Sequence, residues 1–186
     1  MNKDEVEYWK DFYKTYKNQN PSNFAIFINN YFKDNMKLLD AGCGNGRDSV
    51  YLSSKYQVVG IDKSAKLDDI KNCQFILSDF ISYDKKNFDI IYSRFTFHSI
   101  TDEDHQKFLE SIYPGTYVCI ETRSDKGLNE FRHHGNDHFR NLTNIDYLKD
   151  LLNKNNFDIE YIEENKGFAI YKDEDPTCIR VVCKKR

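Results

Sequence analysis

The chain has 186 residues, a net charge of -3, 14 Phe and 13 Tyr, which suits one domain with a sizeable aromatic core. Lysines and arginines are spread along the sequence rather than gathered on one face, which argues against a nucleic-acid partner, and no apolar run approaches the roughly 20 residues that cross a bilayer. The five cysteines form no C-x-x-C pair and the amino terminus lacks an apolar leader core, so reduced thiols in a cytoplasm are expected.

From the amino terminus, Val6, Trp9, Phe12, Tyr13 and Tyr16 recur at helical spacing and predict a helix over 4–16. Pro21 and Ser22 end it, with Ser22 placed to cap a second helix through Phe32. Lys37–Ala41 reads as a buried strand, followed by the turn Gly42-Cys43-Gly44-Asn45-Gly46 and a helix over 47–55. Gln57–Ile61 is the second strand with Asp62 at its tip, and Gln74–Leu77 the third, running into Ser78-Asp79-Phe80. Phe88–Tyr92 is the fourth, ending at Ser93-Arg94, then a helix over 103–113 and a fifth strand over 116–121. A loop rich in His and Arg reaches Leu142. Thr143 is placed to cap a helix to about Asn153, with Asp146 in its first turn. Phe157–Glu164 and Cys178–Cys183 read as two more strands.

This alternation predicts an α/β fold, a Rossmann-like mostly parallel sheet with helices on both faces. In such sheets ligands bind beyond the carboxyl ends of the strands, at the topological switch point, and Asp40, Asp62, Asp79 and Arg94 all fall at predicted strand ends. The glycine run offers bare backbone and a helix start with unpaired N–H groups, a cradle for a nucleotide-type cofactor. Its spacing is G-x-G-x-G, and Arg47 stands where the dinucleotide pattern G-x-G-x-x-G requires a third glycine, which disfavours a nicotinamide cofactor. Asp62, after Val-Val-Gly-Ile, is placed to accept hydrogen bonds from a ribose and would repel a 2′-phosphate.

Leu38–Gly46, Val58–Asp62, Leu77–Phe80 and Phe88–Ser93 together resemble, in order, the cofactor-side motifs of class I S-adenosylmethionine (SAM)-dependent methyltransferases. The resemblance covers roughly residues 37–121 well and the tail loosely. It implies one methyltransferase domain over 1–186 with a seven-stranded sheet whose last strand is antiparallel. It implies SAM as cofactor: Gly42, Cys43 and Gly44 against its methionine part, Asp40 supporting the loop or reaching the amino group, and Asp62 on the ribose. Asp79 would bond the adenine amino group, Phe80 pack on the ring, and Ser93 and Arg94 line the site near the sulfonium. Trp9 and Tyr13, one helical turn apart, serve either as core packing or as part of a helical lid over 1–33, as in tellurite- and thiopurine-type relatives.

Methyl transfer from a sulfonium is a direct displacement that depends on alignment, and a hydroxyl acceptor gains from a base near neutrality, which His supplies. His98 past the fourth strand, and His133 and His138 in the loop after the fifth, are the candidate bases. Arg94, Arg123 and Arg140 are candidates for binding an anionic acceptor. The segment 93–98 lacks the Asn/Asp-Pro-Pro-Tyr tetrapeptide of enzymes that methylate nucleobase or glutamine amide nitrogens. His133, His134, Asp137 and His138 match no zinc spacing, so no metal is assigned. The run Glu-x-Arg-Ser-x-Asp, then His-x-Phe-Arg, then Asp-Glu-Asp-Pro before Ile-Arg-Val-Val looks similar to small methyltransferases of glycan and capsule biosynthesis. The expectation is a monomeric or homodimeric enzyme that O-methylates a small anionic metabolite, plausibly a sugar, sugar phosphate or phosphoramidate precursor. N- or S-methylation of a small molecule, and a SAM-binding subunit without catalysis, are the alternatives.

Overall fold

A computed structural model describes residues 3–15, 19–64, 67–127 and 140–186. The elements in chain order are α1 (Lys3–Thr15), α2 (Asn23–Tyr31), β1 (Lys37–Ala41), α3 (Arg47–Leu52), β2 (Gln57–Asp62), β3 (Cys73–Leu77), β4 (Ile90–Arg94), α4 (Asp102–Glu110), β5 (Tyr117–Arg123), α5 (Ile145–Lys154), β6 (Phe157–Asn165) and β7 (Cys178–Lys185). The strands form one seven-stranded sheet in the order β3-β2-β1-β4-β5-β7-β6. β1 to β5 pair in parallel, and β7 runs antiparallel to both β5 and β6.

Alternation along the strands decides which layer each side chain joins. Leu38, Ile90, Tyr92, Cys119 and Val182 face α2 and α3 and pack with Phe24, Ala25, Ile28 and Leu52. Leu39, Ile91, Val118, Ile120 and Val181 face α4 and α5 and pack with Phe108, Leu109, Leu148 and Leu152. The central strands bury both faces, so they read as continuous apolar runs. The chain builds β1, β2 and β3 outward on one side and then returns to β4 on the other side of β1. That switch point opens a crevice beyond the carboxyl ends of β1 and β4.

Helix ends follow local hydrogen bonding. Ser22 caps α2, its hydroxyl accepting from the Ala25 amide at 3.0 Å. The helix expected over 47–55 stops at Leu52, because Ser53 and Ser54 turn their hydroxyls onto the Val50 and Tyr51 carbonyls. The cap of α5 is Asn144 rather than Thr143: the Asn144 side chain accepts from the amides of Asp146 and Tyr147. Thr143 is buried instead, bridged to Ser124 and 3.3 Å from the Thr122 hydroxyl. Among the described residues no helix is long and apolar enough to cross a membrane.

Candidate active site

The glycine turn is built by the backbone. The amides of Gly42 and Cys43 both donate to the Ile61 carbonyl, at 2.8 and 2.9 Å, which pins the turn to the tip of β2. Gly42 has φ +86°, and a Cβ there would lie 2.2 Å from the Thr96 methyl, so only glycine keeps this approach open. Asp40, on the α3 face of β1, is 2% exposed and accepts from the Ser49 hydroxyl at 2.5 Å. Burial pushes its carboxyl up to about 8; the Ser49 hydrogen bond opposes this and the nearby Asp48 and Asp62 add to it.

The tips of β2 and β3 bring further carboxylates. Asp62 accepts from the Gly44 amide at 2.9 Å and from the Ser64 amide and hydroxyl at 2.7 and 2.6 Å. Asp79 pairs with Lys63 at 2.7 Å and accepts from the Ile81 amide at 3.0 Å, closing a tight turn under Phe80. Phe80 in turn meets Phe108 of α4 edge to face, with ring centroids 5.9 Å apart. Asp48 of α3, also on the cavity lining, accepts from Ser22 N, Ser22 Oγ and the Tyr92 hydroxyl at 2.7, 2.7 and 2.8 Å. These bonds fasten the start of α2 beside the turn.

Beyond β4 the chemistry changes. Arg94 Nε donates to Glu121 Oε1 at 2.8 Å, and Arg180 Nε to Glu121 Oε2 at 2.7 Å, so one buried carboxylate sits between two guanidiniums. Phe95 follows with φ +59°, a left-handed conformation that costs a bulky residue energy and turns the chain sharply at the strand tip. Arg94 lies over its ring at 4.2 Å and Arg123 at 5.6 Å. His98 lies in a 3₁₀ turn, Phe97–Ser99, buried, with its ring 5.2 Å from that of Phe95. Arg123, at the end of β5, is paired with Glu174 from the connection between β6 and β7.

These two regions share one cavity of about 270 Å³. Of the residues expected from sequence, Trp9, Asp40, Gly42, Cys43, Asp62, Asp79, Phe80, Arg94, His98, Arg123 and Arg140 lie on its lining. Gly44 is set behind it, holding Asp62. Ser93 is not on the lining either: it points to the opposite face of β4, buried on the Thr96 hydroxyl, and its neighbours Tyr92, Arg94 and Thr96 face the cavity. Tyr13 belongs to α1, but its side chain lies outside the described residues, and Phe12 is the lining residue beside Trp9. His133 and His138, with His134 and Asp137, also lie outside the described residues. His105 is structural. It stacks on Phe97 at 4.5 Å, donates Nε2–H to the Phe97 carbonyl at 2.7 Å, and has its pKa lowered by burial.

Sequence reasoning did not find Lys63, Ser64, Tyr92, Thr96, Tyr171 and Glu174 on the lining. Glu174 had one signal, its place in the run Asp173-Glu174-Asp175-Pro176 before the last strand, which carries the likeness to glycan- and capsule-type methyltransferases; Tyr171 had none.

A family model described as a methyltransferase domain matches residues 13–162. The chain is a member of that family. An uncharacterized methyltransferase of Schizosaccharomyces pombe is 33% identical to this chain over 94 residues, which cover 44% of this chain and 63% of that protein, just under two thirds of its length. A SAM-dependent methyltransferase from Anabaena variabilis superposes with a TM-score of 0.75 at 19% identity, covering 100% of this chain and 96% of that one. The 1,6-didemethyltoxoflavin-N1-methyltransferase of Burkholderia thailandensis, solved with its substrate and S-adenosylhomocysteine, superposes with a TM-score of 0.68 at 15% identity, over 87% and 76% of the two chains. The fold of this chain is therefore that of the class I SAM-dependent methyltransferases, as its motifs imply.

Proposed function

We propose that this chain transfers a methyl group from SAM to a hydroxyl of a small anionic metabolite. The observation that carries the reading is one cavity whose lining joins the glycine cradle and the carboxylates of Asp40, Asp62 and Asp79 to the guanidiniums of Arg94, Arg123 and Arg140. The first set suits the cofactor. Gly42 leaves room that any Cβ would fill. Asp40 is a buried carboxylate with a single hydroxyl donor, a natural partner for an ammonium. Asp62 and Asp79 are fixed by backbone donors and retain lone pairs for ribose hydroxyls and an adenine amino group. Bound there, SAM supplies a methyl group on a positively charged sulfur.

The chain's own residues would do the rest. Phe95 and Thr96, held by the strained turn after β4, wall the cavity between its two ends. The arginines would orient the acceptor's anionic group, and His98, on the same lining, is our candidate for taking the hydroxyl proton. Trp9 and Phe12 of α1 cover the cavity and exclude water. A sugar, sugar phosphate or phosphoramidate fits the arginine end, and a cytoplasmic setting suits the five unpaired thiols.

Calorimetry with S-adenosylhomocysteine tests the first part. Asp62→Ala is expected to weaken binding about a hundredfold, the loss of charge-assisted bonds to ribose hydroxyls. No affinity in the unaltered protein would refute the reading. A panel of sugar phosphates and hydroxy acids with labelled SAM tests the acceptor. N-methylation is the second reading, favoured by two structural neighbours that are N-methyltransferases, the 1,6-didemethyltoxoflavin-N1-methyltransferase and a glycopeptide N-methyltransferase. Transfer to amines in preference to hydroxyls would decide for it.

A further inference from the structure

Two carboxylates meet the arginines at the acceptor end, and they are held differently. Glu121 belongs to a central strand, is fully buried, and takes a directed hydrogen bond on each oxygen. It does not reach the cavity. Glu174 does reach the cavity and is 3% exposed. Its Oε1 lies 2.5 Å from an Arg123 terminal nitrogen, an ion pair to which no directed hydrogen bond is added. A carboxylate so placed leaves unused the paired donors that make a guanidinium a good oxyanion site.

The backbone that carries Glu174 is built to be anchored at its ends and turned at its tip. Arg180 donates to the Phe168 carbonyl at 3.0 Å, and the Ser124 amide to the Thr177 carbonyl at 2.9 Å. Between them Tyr171 and Glu174 exchange backbone bonds of 2.8 and 2.9 Å around Lys172, which has φ +53°. Only this short turn need shift to withdraw the Glu174 side chain. Arg123 is itself buried, and a buried guanidinium without a counter-charge is strongly unfavourable. An internal anion meets that need while no ligand is present.

We propose that Glu174 is a built-in stand-in for the acceptor's anionic group: it occupies an oxyanion subsite on Arg123, flanked by Arg94 and Arg140, and a ligand phosphate or carboxylate enters by displacing it. The proposal deepens the functional reading above and rests on it for the ligand's identity as the acceptor. Exchange of one anion for another keeps Arg123 compensated throughout, and selects against ligands that lack the anion.

Inorganic phosphate is the probe, titrated calorimetrically into the full chain saturated with S-adenosylhomocysteine. Glu174→Gln is expected to bind phosphate about tenfold more tightly than the unaltered protein. Asp173→Asn removes the same charge from the exposed neighbouring position and is expected to leave phosphate affinity unchanged. Arg123→Met on the Glu174→Gln background should abolish the gain. No gain in Glu174→Gln, or an equal gain in Asp173→Asn, overturns the proposal. Should Glu174→Gln misfold, Glu174→Asp keeps the charge but draws it back by one methylene. It too is expected to bind phosphate more tightly, and unchanged affinity overturns the proposal. Failure of S-adenosylhomocysteine to bind would strike the methyltransferase reading alone, and the same titrations on the free protein would still decide the role of Glu174.

Discussion

At the cofactor end of the cavity, Gly42, Cys43, Gly44 and Asp62 are arranged by main-chain hydrogen bonds between β1 and β2. At the acceptor end, Arg94, Glu121, Arg123, Glu174 and Arg180 come from separate stretches of chain and are arranged by side-chain charge. The first kind of site depends on backbone conformation and tolerates change in most side chains. The second kind depends on each charge having its partner, so it can be retuned by single substitutions, or broken by them.

The largest expected effect breaks the acceptor end. Glu121→Gln leaves Arg94 and Arg180 sharing one neutral acceptor, and removing one partner from a buried ionic cluster costs about 3–5 kcal/mol. Denaturant melts would register it, and unaltered stability would show that this cluster does not hold the acceptor end together. Next, Gly42→Ala attacks the backbone-built end. It forces a Cβ into Thr96 at an unfavourable φ, a loss of about 1–3 kcal/mol. The change should abolish S-adenosylhomocysteine binding; retained affinity would mean that Thr96 yields and that the cradle is less rigid than its hydrogen bonds imply.

The third prediction concerns pH. Asp40 moves from the ordinary 3.8 to about 8 in the folded protein, chiefly through burial. The folded state then holds a proton that the unfolded state has lost between those values, so stability contributed by Asp40 falls as pH rises from 4 toward 8. A ligand ammonium beside Asp40 favours the ionised carboxylate, so S-adenosylhomocysteine binding at pH 6 should release a proton. Calorimetry in two buffers of different ionisation enthalpy reads this directly, and equal apparent enthalpies would refute it. The smallest effect is at the hydrogen bonds that Asp48 accepts. Tyr92→Phe removes one of them, a loss of about 1 kcal/mol that a denaturant melt would register.

The two ends also differ in what their sequence discloses. Asp40, the glycine turn, Asp62 and Asp79 are legible because each role follows from a few adjacent residues: apolar strand, acidic tip, glycine. Burial on both faces makes β1, β2 and β4 equally plain. Glu174 and Tyr171 are not legible, since what gives them meaning is Arg123 and the cavity, far away along the chain. Ser93 shows the limit at the scale of one residue. Strand alternation alone, carried one step further, turns it away from the cavity and brings Tyr92 and Arg94 in. Thr143 and Asn144 are both good caps, and the choice between them is made by the bridge from Thr143 to Ser124.

The place of β7 in the sheet has a consequence for how the protein is made. β6 is an edge strand whose sole neighbour is β7, and β7 lies between it and β5. On the ribosome, β1 to β5 emerge in order and can pair as they appear, completing the glycine cradle and its carboxylates. β6 and the connection bearing Glu174 must wait, without partners, until β7 has been synthesised and wedged into position. The glycine cradle is thus finished before β7 is made, and the connection bearing Glu174 settles against Arg123 only after it.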